Sequence, residues 1–180
     1  MCATHREKPE KNEFFGGLSD CQELYNDVKY KHKYDLRGTS MRVYIAAPLF
    51  CDSERYLNER IDAVVQSCGH ETFLPQRDGG CVADLPDTIA GMPKRKYLFK
   101  LDCAHMDWCD TVLFVFDGRV PDEGACFELG YCYAKGKRCI AYKSDVRSFI
   151  DGYDNVMLHG APEAVLRNEE ELKEFFMNVK

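Results

Sequence analysis

Short apolar runs alternate with amphipathic stretches along most of the chain. Residues 42–47 are rich in β-forming side chains and predict a strand, and residues 54–67 carry apolar side chains at helical spacing and predict a helix. The same alternation predicts strands at 72–74, 111–116, 138–142 and 155–158, and helices at 94–108, 124–134 and 169–179. The run 111–116 is apolar throughout, which is typical of a strand covered on both faces.

This order of elements predicts an α/β fold, a flavodoxin-like doubly wound five-stranded parallel sheet with right-handed crossovers. In such a sheet, ligands bind beyond the carboxyl ends of the strands, where the strand order reverses. We therefore expect functional residues directly after the strands, at 47–50, 76–80, 117–128 and after Tyr142. The predicted loop 76–93 is long and rich in Gly and Pro, and such loops are usually functional.

The first forty residues differ from the rest of the chain. They hold as many acids as bases and few aliphatic side chains, so they cannot bury much apolar surface. We expect residues 1–40 to be a partly ordered extension and residues 41–180 to form the catalytic or binding domain. A contact surface for a second copy is the alternative for this extension.

Composition narrows the class of protein. The 180 residues include 24 Lys and Arg against 30 Asp and Glu, a net charge of −6 that argues against nucleic-acid binding and an electrostatic membrane anchor. No apolar run is long enough to span a membrane. The 10 cysteines are scattered without a Cys-x-x-Cys pair, which predicts free thiols in a reducing compartment, the cytoplasm.

The candidate chemistry is carried by carboxylates. Glu128 lies one turn inside a predicted helix among apolar neighbours, where a carboxylate is costly to bury, so it is a candidate nucleophile or general base. A solvated helix glutamate is the alternative. Asp102 lies in the middle of a helix and is either a second site carboxylate or an ordinary surface acid. Asp122 precedes a helix, where capping would explain it equally well.

Other classes of site find little support. The turn after the first strand is apolar and has no glycine-rich phosphate cradle, and its neighbours Tyr44 and Phe50 suit a flat ring or belong to the core. The five histidines share no metal-ligand spacing with one another or with cysteine. We expect neither a metal site nor a cofactor.

Five motifs in order resemble the nucleoside 2-deoxyribosyltransferases: Tyr-Ile-Ala-Ala-Pro-Leu-Phe at 44–50, Leu-Pro-Gln-Arg-Asp-Gly at 74–79, Asp102 eight residues before Asp110, Asp-Glu-Gly-Ala-Cys-Phe-Glu-Leu-Gly-Tyr at 122–131, and Asp-Asn-Val at 154–156. The resemblance covers about residues 42–158. Some members carry a tyrosine near the C-terminus, whereas this chain reads Phe-Phe-Met-Asn-Val-Lys at 175–180.

The resemblance implies a chemistry for three side chains. Glu128 would attack C1′ of a 2′-deoxynucleoside and form a covalent deoxyribosyl-enzyme. Asp102 would handle the proton of the leaving or entering base, and Tyr44 would hydrogen-bond Glu128 and orient it. The expected activity is exchange of nucleobases between deoxynucleosides in nucleotide salvage and purine metabolism, with slow hydrolysis when no acceptor base is present.

The resemblance also implies how the substrate is held. Phe50 would line the base pocket, Gln76 and Asp78 would lie near the base, and Asp122 would hold sugar hydroxyls. Asn155 would reach into a neighbouring subunit's site, because members of the family form homo-oligomers with composite active sites. The expected partners are deoxynucleosides and free nucleobases.

Two rival functions stay open. The related 2′-deoxynucleoside 5′-monophosphate N-glycosidases carry serine where this chain has Asp122, whose charge would repel a phosphate, although Arg77 and Arg119 could offset it. A nucleoside-binding module without turnover is the other rival. A phosphorylated signalling domain is disfavoured, because the turn after the first strand lacks its acidic pair.

Overall fold

The computed structural model describes residues 40–80, 82–148, 150, 152 and 154–179. The extension predicted at 1–40, apart from Ser40, lies outside the described residues. The strands are β1 (Arg42–Ala46), β2 (Glu71–Phe73), β3 (Thr88–Ile89), β4 (Met92–Pro93), β5 (Thr111–Val115), β6 (Arg138–Tyr142) and β7 (Ala164–Leu166). The α-helices are α1 (Asp52–Ser67), α2 (Lys94–Trp108), α3 (Glu123–Ala134), α4 (Val156–His159) and α5 (Glu169–Asn178).

Five of these strands form one parallel sheet in the order β2-β1-β5-β6-β7. Leaving aside the small β3–β4 hairpin, this is the 2-1-3-4-5 order of a flavodoxin-like sheet, so the predicted fold class is confirmed. The strand order reverses between β1 and β5. The carboxyl ends of these two strands therefore form the crevice in which a ligand is expected.

The side-chain alternation of β1 divides the core into two layers. Val43 and Ile45 pack on the face covered by α1 and α5, whereas Tyr44 and Ala46 pack on the face that contains Met106 of α2 and Leu129 of α3. Both faces of the sheet are covered, which is why the central strands are apolar throughout. Tyr44 is thereby fixed beneath the two helices that carry Asp102 and Glu128.

The predicted fifth strand at 155–158 is wrong. Those residues begin the short helix α4, and the fifth strand of the sheet is β7. Val156 and Met157 are about four-fifths exposed, so their apolar pattern does not mark a buried strand. Asn155 instead starts a helix, because its side-chain oxygen accepts the backbone N–H of Met157 at 3.0 Å.

The predicted loop 76–93 is more ordered than its composition suggested. It begins with a π-helical turn, Pro75–Gly79, directly after β2, and it contains the antiparallel β3–β4 hairpin. Arg77 fastens the turn to α1 through an ion pair with Asp62 at 2.5 Å. The segment therefore reaches the carboxyl edge of the sheet in a defined conformation.

Candidate active site

A tyrosine of β1 and a glutamate of α3 meet on the face of the sheet that α2 and α3 cover. The Tyr44 hydroxyl donates a hydrogen bond of 2.7 Å to Oε1 of Glu128. Tyr44 is completely buried, and burial, together with the charge of Glu128, raises the pKa of its phenol well above the usual value. The phenol therefore stays protonated and acts as a fixed donor to the carboxylate.

Glu128 has the electrostatic environment of a functional carboxyl. Burial, with a smaller contribution from the charges of Asp102 and Asp122, raises its pKa to about 8, although the hydrogen bond from Tyr44 works in the opposite direction. The alternative of an ordinary solvated helix glutamate does not account for this environment. A strongly perturbed carboxyl in a crevice marks a candidate functional site.

Asp102 is the second perturbed carboxyl of the site. Burial raises its pKa to about 6, and the nearby charge of His105 works against that rise. A β-carbon on Gly79 would lie 3.9 Å from Oδ1 of Asp102, so the π-helical turn after β2 packs close to this carboxyl. The ordinary-surface-acid interpretation is thus disfavoured for Asp102 also.

An aromatic stack connects β1 to α2 across the site. Tyr44 stacks on Phe73 of β2 with ring centroids 5.4 Å apart, and Phe73 stacks on His105 of α2 at 3.7 Å. His105 is further fixed because its Nδ1 donates to the carbonyl of Leu101 at 2.8 Å. The stack couples β1, which carries Tyr44, to the helix that carries Asp102.

Asp122 combines capping with a position at the crevice. Its Oδ2 accepts the backbone N–H of Ala125 at 2.8 Å and caps α3. A β-carbon on Gly124 would approach that same oxygen to 3.0 Å, so glycine gives the capping carboxylate room. Asp122 also lines a cavity of about 390 Å³, so its capping of α3 is compatible with a position at the crevice.

That cavity lies between the loops that follow β1 and β5. The side that follows β1 carries the apolar or aromatic residues Pro48, Phe50 and Leu57, and the ring of Phe50 is three-quarters exposed. Glu54 also lines this side, where its carboxylate accepts the backbone N–H of Phe50 at 2.8 Å. The opposite wall is formed by the segment 117–123, with carboxylates at Asp117, Asp122 and Glu123. Such a cavity suits a flat ring that bears hydrogen-bond donors.

Gln76 and Asp78 are engaged by the protein itself. Gln76 donates to the carbonyl of Arg55 at 3.0 Å and accepts from Asn58 at 2.9 Å. Asp78 accepts the backbone N–H of Leu74 at 2.8 Å and pairs with Arg77 at 2.7 Å. Both side chains thus stabilise the π-helical turn next to Asp102.

Asn155 lies at the start of α4, where its observed side-chain hydrogen bond is the cap to Met157. The structure brings together Tyr44, Asp102, Asp122 and Glu128. It places Phe50 with Asp122 on the shared cavity. It gives Asn155 no described contact with any of them.

Asn58 and Lys143 are among the buried polar residues that the sequence analysis did not single out. Asn58 is 2% exposed and lines the cavity, and its signal is a polar side chain on the core-facing side of α1, three residues before Ile61. Lys143 is 4% exposed, and its signal is a charge directly after the apolar strand β6.

In the described part of the chain, no group of histidine, cysteine and carboxylate side chains could hold a metal ion. No helix within the described residues is long and apolar enough to cross a bilayer.

Comparison with known proteins places this geometry in context. The family model described as nucleoside 2-deoxyribosyltransferase matches residues 43–177. No curated protein sequence matches the chain.

Three solved structures share the fold. A 2-deoxyribosyltransferase from Bacillus psychrosaccharolyticus is 23% identical, with 73% of this chain and 90% of that chain covered and a TM-score of 0.60. A conserved protein from Enterococcus faecalis is 20% identical, covers 78% and 99%, and has a TM-score of 0.64. A 2-deoxyribosyltransferase from Leishmania mexicana is 21% identical, covers 77% and 97%, and has a TM-score of 0.55.

Proposed function

The chain belongs to the nucleoside 2-deoxyribosyltransferase family, and from this premise we propose that it transfers 2-deoxyribose between nucleobases by double displacement. Glu128 is the nucleophile, Asp102 is the acid and base, and Tyr44 orients the nucleophile. The observation that carries the proposal is the 2.7 Å hydrogen bond from Tyr44 to Glu128, beside a second carboxyl with a raised pKa.

The proposed reaction has two displacements at the same carbon. The ionised Glu128 attacks C1′ of a 2′-deoxynucleoside, the bond from C1′ to the base nitrogen breaks, and the base leaves with a proton from Asp102. A second base then attacks C1′, returns a proton to Asp102 and releases Glu128. Water in place of that base gives minor hydrolysis, which the apolar wall of the cavity limits.

The two raised pKa values define the productive protonation state. Between pH values near 6 and 8, the Asp102–Glu128 pair holds one proton. Chemistry requires that proton on Asp102, although Glu128 has the higher pKa. The productive form is therefore the minor form of the pair before substrate binds. The leaving base accepts a hydrogen bond from protonated Asp102 and so favours the productive form.

The proposed substrate contacts follow the walls of the cavity. Phe50 stacks against the base, Asp122 accepts hydrogen bonds from sugar hydroxyls, and the turn that contains Gln76 and Asp78 closes the base end of the site. Phe50 supports this assignment because its exposed ring lies on the apolar wall. Asp122 supports it because it borders the same cavity from the opposite wall.

We further propose that the site is completed in a cytoplasmic homo-oligomer, with Asn155 entering the site of a neighbouring copy. The exposed apolar pair Val156 and Met157, next to Asn155, supports a contact there. Mixing Asn155→Ala and Glu128→Ala proteins tests this arrangement. Mixed oligomers regain activity if each site draws on two copies, and they stay inactive if every site is formed within one chain.

Hydrolysis of deoxynucleoside 5′-monophosphates is the second candidate function. Arg147 favours it, because this cation lines the cavity and has the charge to hold a phosphate. Asp122 opposes it, since its carboxylate lines the same cavity. Arg147 is also bound to Asp145 at 2.5 Å, so its charge is already partly used.

A base-exchange assay tests the proposal. The protein is incubated with deoxyinosine or thymidine plus free adenine, and the products are separated by chromatography. New deoxyadenosine that disappears with Glu128→Ala but persists with Glu174→Ala, an exposed glutamate on α5, supports transfer. Formation of free base without a new nucleoside would show that the protein hydrolyses deoxynucleosides and does not transfer the sugar. Turnover restricted to monophosphates favours the second candidate, and binding without turnover favours a binding module.

A further inference from the structure

The side-chain amide of Asn58 is buried, and its nitrogen is hydrogen-bonded whereas its oxygen is not. It is 2% exposed on the core-facing side of α1. Its Nδ2 donates to the carbonyl of Pro48 at 2.8 Å and to Oε1 of Gln76 at 2.9 Å. Both hydrogens of the amide nitrogen are therefore used, one toward the end of β1 and one toward the turn after β2.

The orientation of this amide is forced by backbone carbonyls. The carbonyls of Pro48 and Arg55 only accept hydrogen bonds, so Asn58 must turn its nitrogen to Pro48 and Gln76 must turn its nitrogen to Arg55. The oxygen of Gln76 is then left facing Asn58. Exchanging oxygen and nitrogen in either amide would set an acceptor against an acceptor.

The oxygen of Asn58 is left without a donor as a consequence. No donor among the described residues lies within hydrogen-bond distance of Oδ1, which is the one buried side-chain polar atom of the described chain in this condition. About nine in ten or more buried polar groups in proteins are satisfied. Asn58 also lines the cavity that contains Phe50 and Asp122, so a molecule in that cavity can supply the donor.

The lining of the cavity indicates which part of a nucleoside supplies the donor. Asn58 borders the cavity together with Pro48, Phe50 and Leu57, whose apolar surfaces suit a flat ring. Glu54 lies on the same side, but its carboxylate already accepts the backbone N–H groups of Phe50 and Cys51, whereas Asp117, Asp122 and Glu123 border the cavity from the segment after β5. Asn58 is also bonded directly to Gln76. We propose that Oδ1 of Asn58 accepts a hydrogen bond from an N–H donor of the nucleobase and selects bases that carry one; this assignment rests on the proposed function.

Equilibrium binding to the Glu128→Ala protein tests the assignment without turnover. The probes are 2′-deoxyadenosine and purine 2′-deoxyriboside, which differ by the exocyclic amine alone. We expect the amine to improve the affinity measured by calorimetry about tenfold when Asn58 is present, and to give no improvement after Asn58→Ala. General damage from Asn58→Ala weakens both probes equally and leaves their ratio unchanged, so the ratio isolates the hydrogen bond.

A second variant guards against a folding defect. Asn58→Leu removes the oxygen but fills nearly the same volume, so it should abolish the amine preference as Asn58→Ala does. Retention of the preference in Asn58→Leu would overturn the assignment. A ratio that is the same with Asn58 and with Asn58→Ala would overturn it too, and would mean that water satisfies the oxygen.

Sugar analogues separate a base donor from a sugar donor. If the effect of Asn58→Ala vanishes with 2′,3′-dideoxyadenosine or 2′,5′-dideoxyadenosine, the donor is a sugar hydroxyl and the assignment to the base is wrong. Failure of the proposed function is distinguishable. An amine preference without base exchange by the unmodified enzyme overturns transfer alone, whereas base exchange without the preference overturns the role of Asn58 alone.

Discussion

The carboxyl edge of the sheet carries two groups of acids that the protein treats in opposite ways. Asp102 and Glu128 have pKa values that burial raises to about 6 and about 8. Beyond the ends of β5 and β6, Asp145 is also pushed upward by burial, but the backbone N–H of Gly118 and the guanidinium of Arg147 hold its pKa below the usual value. Both groups consist of carboxylates, and they differ in the hydrogen bonds and cations that offset the effect of burial on the pKa.

The compensated group is built around a buried lysine. Lys143 pairs with Asp154 at 3.2 Å and donates to the carbonyl of Phe116 at 3.3 Å. Asp117 accepts the backbone N–H and the hydroxyl of Ser144, both at 2.6 Å. This group joins the ends of β5 and β6, so its charges serve the fold. The site pair receives one phenolic hydrogen bond, which leaves its protons available for chemistry.

The largest effect is expected when one carboxyl of the Asp102–Glu128 pair is removed. Asp102→Asn removes the acid, and kcat/KM for base exchange should fall about a hundredfold or more. The unmodified enzyme should show a bell-shaped profile that falls below about pH 6, where both carboxyls are protonated, and above about pH 8, where both are ionised. The variant should lose the alkaline fall, because ionised Glu128 alone then limits it. An unchanged bell would assign the proton to another group.

Substitutions in the group around Lys143 are expected to change the stability of the protein. Lys143→Met leaves Asp154, whose side chain is 11% exposed, without its cation, and the free energy of unfolding should fall by about 3 kcal/mol. Urea denaturation measures the loss. The double variant Lys143→Met, Asp154→Asn should recover most of it, since no buried charge is then left unpaired. If the single variant is as stable as the parent, the pair does not serve the fold.

Removing the charge of Glu128 is expected to stabilise the protein, in contrast to the loss expected for Lys143→Met. The pKa of Glu128 is about 8 in the folded protein against an ordinary value of 4.5, so its ionisation destabilises the fold increasingly as pH rises from about 4.5 to about 8. Glu128→Gln should therefore raise the free energy of unfolding by about 1–3 kcal/mol at pH 8. Near pH 4 it should change little, because the carboxyl is neutral in both states. Equal effects at both values would show that the gain is not electrostatic.

The smallest expected effect comes from a single hydroxyl. Tyr44→Phe keeps the buried ring but removes the hydrogen bond that lowers the pKa of Glu128. That pKa should rise further and move the alkaline fall of the rate profile to higher pH, while kcat/KM drops about tenfold. A drop without a shift of the profile would mean that the hydroxyl positions Glu128 without lowering its pKa.

Much of the fold was accessible from the sequence because hydrophobic spacing reports local structure directly. Helix α2 was predicted with the bounds Lys94–Trp108 that the structure has, and the strands β1, β5 and β6 were also predicted. The β3–β4 hairpin has strands of two residues, too short for any alternation to show. The apolar run 155–158 misled because exposure, which spacing does not report, decides between strand and surface helix.

The site was partly accessible for a related reason. Glu128 and Asp102 could be singled out as carboxylates among apolar helix neighbours, and the resemblance supplied the roles of Asp102 and Tyr44. The role of Asn58 could not be derived, because its partners lie 10 and 18 residues away and meet it only in the folded chain. Lys143 escaped for the same reason, since Asp154 compensates it through tertiary contact.

The proposed covalent bond between Glu128 and deoxyribose can be observed during turnover. The enzyme is acid-quenched while it converts deoxyinosine, and the products are examined by intact-mass and peptide analysis. We expect a mass gain of one deoxyribosyl group on the peptide that contains Glu128, lost when adenine is added before the quench and absent in Glu128→Gln. Base exchange that proceeds with an adduct on another residue, or with none in the unmodified enzyme, would contradict it.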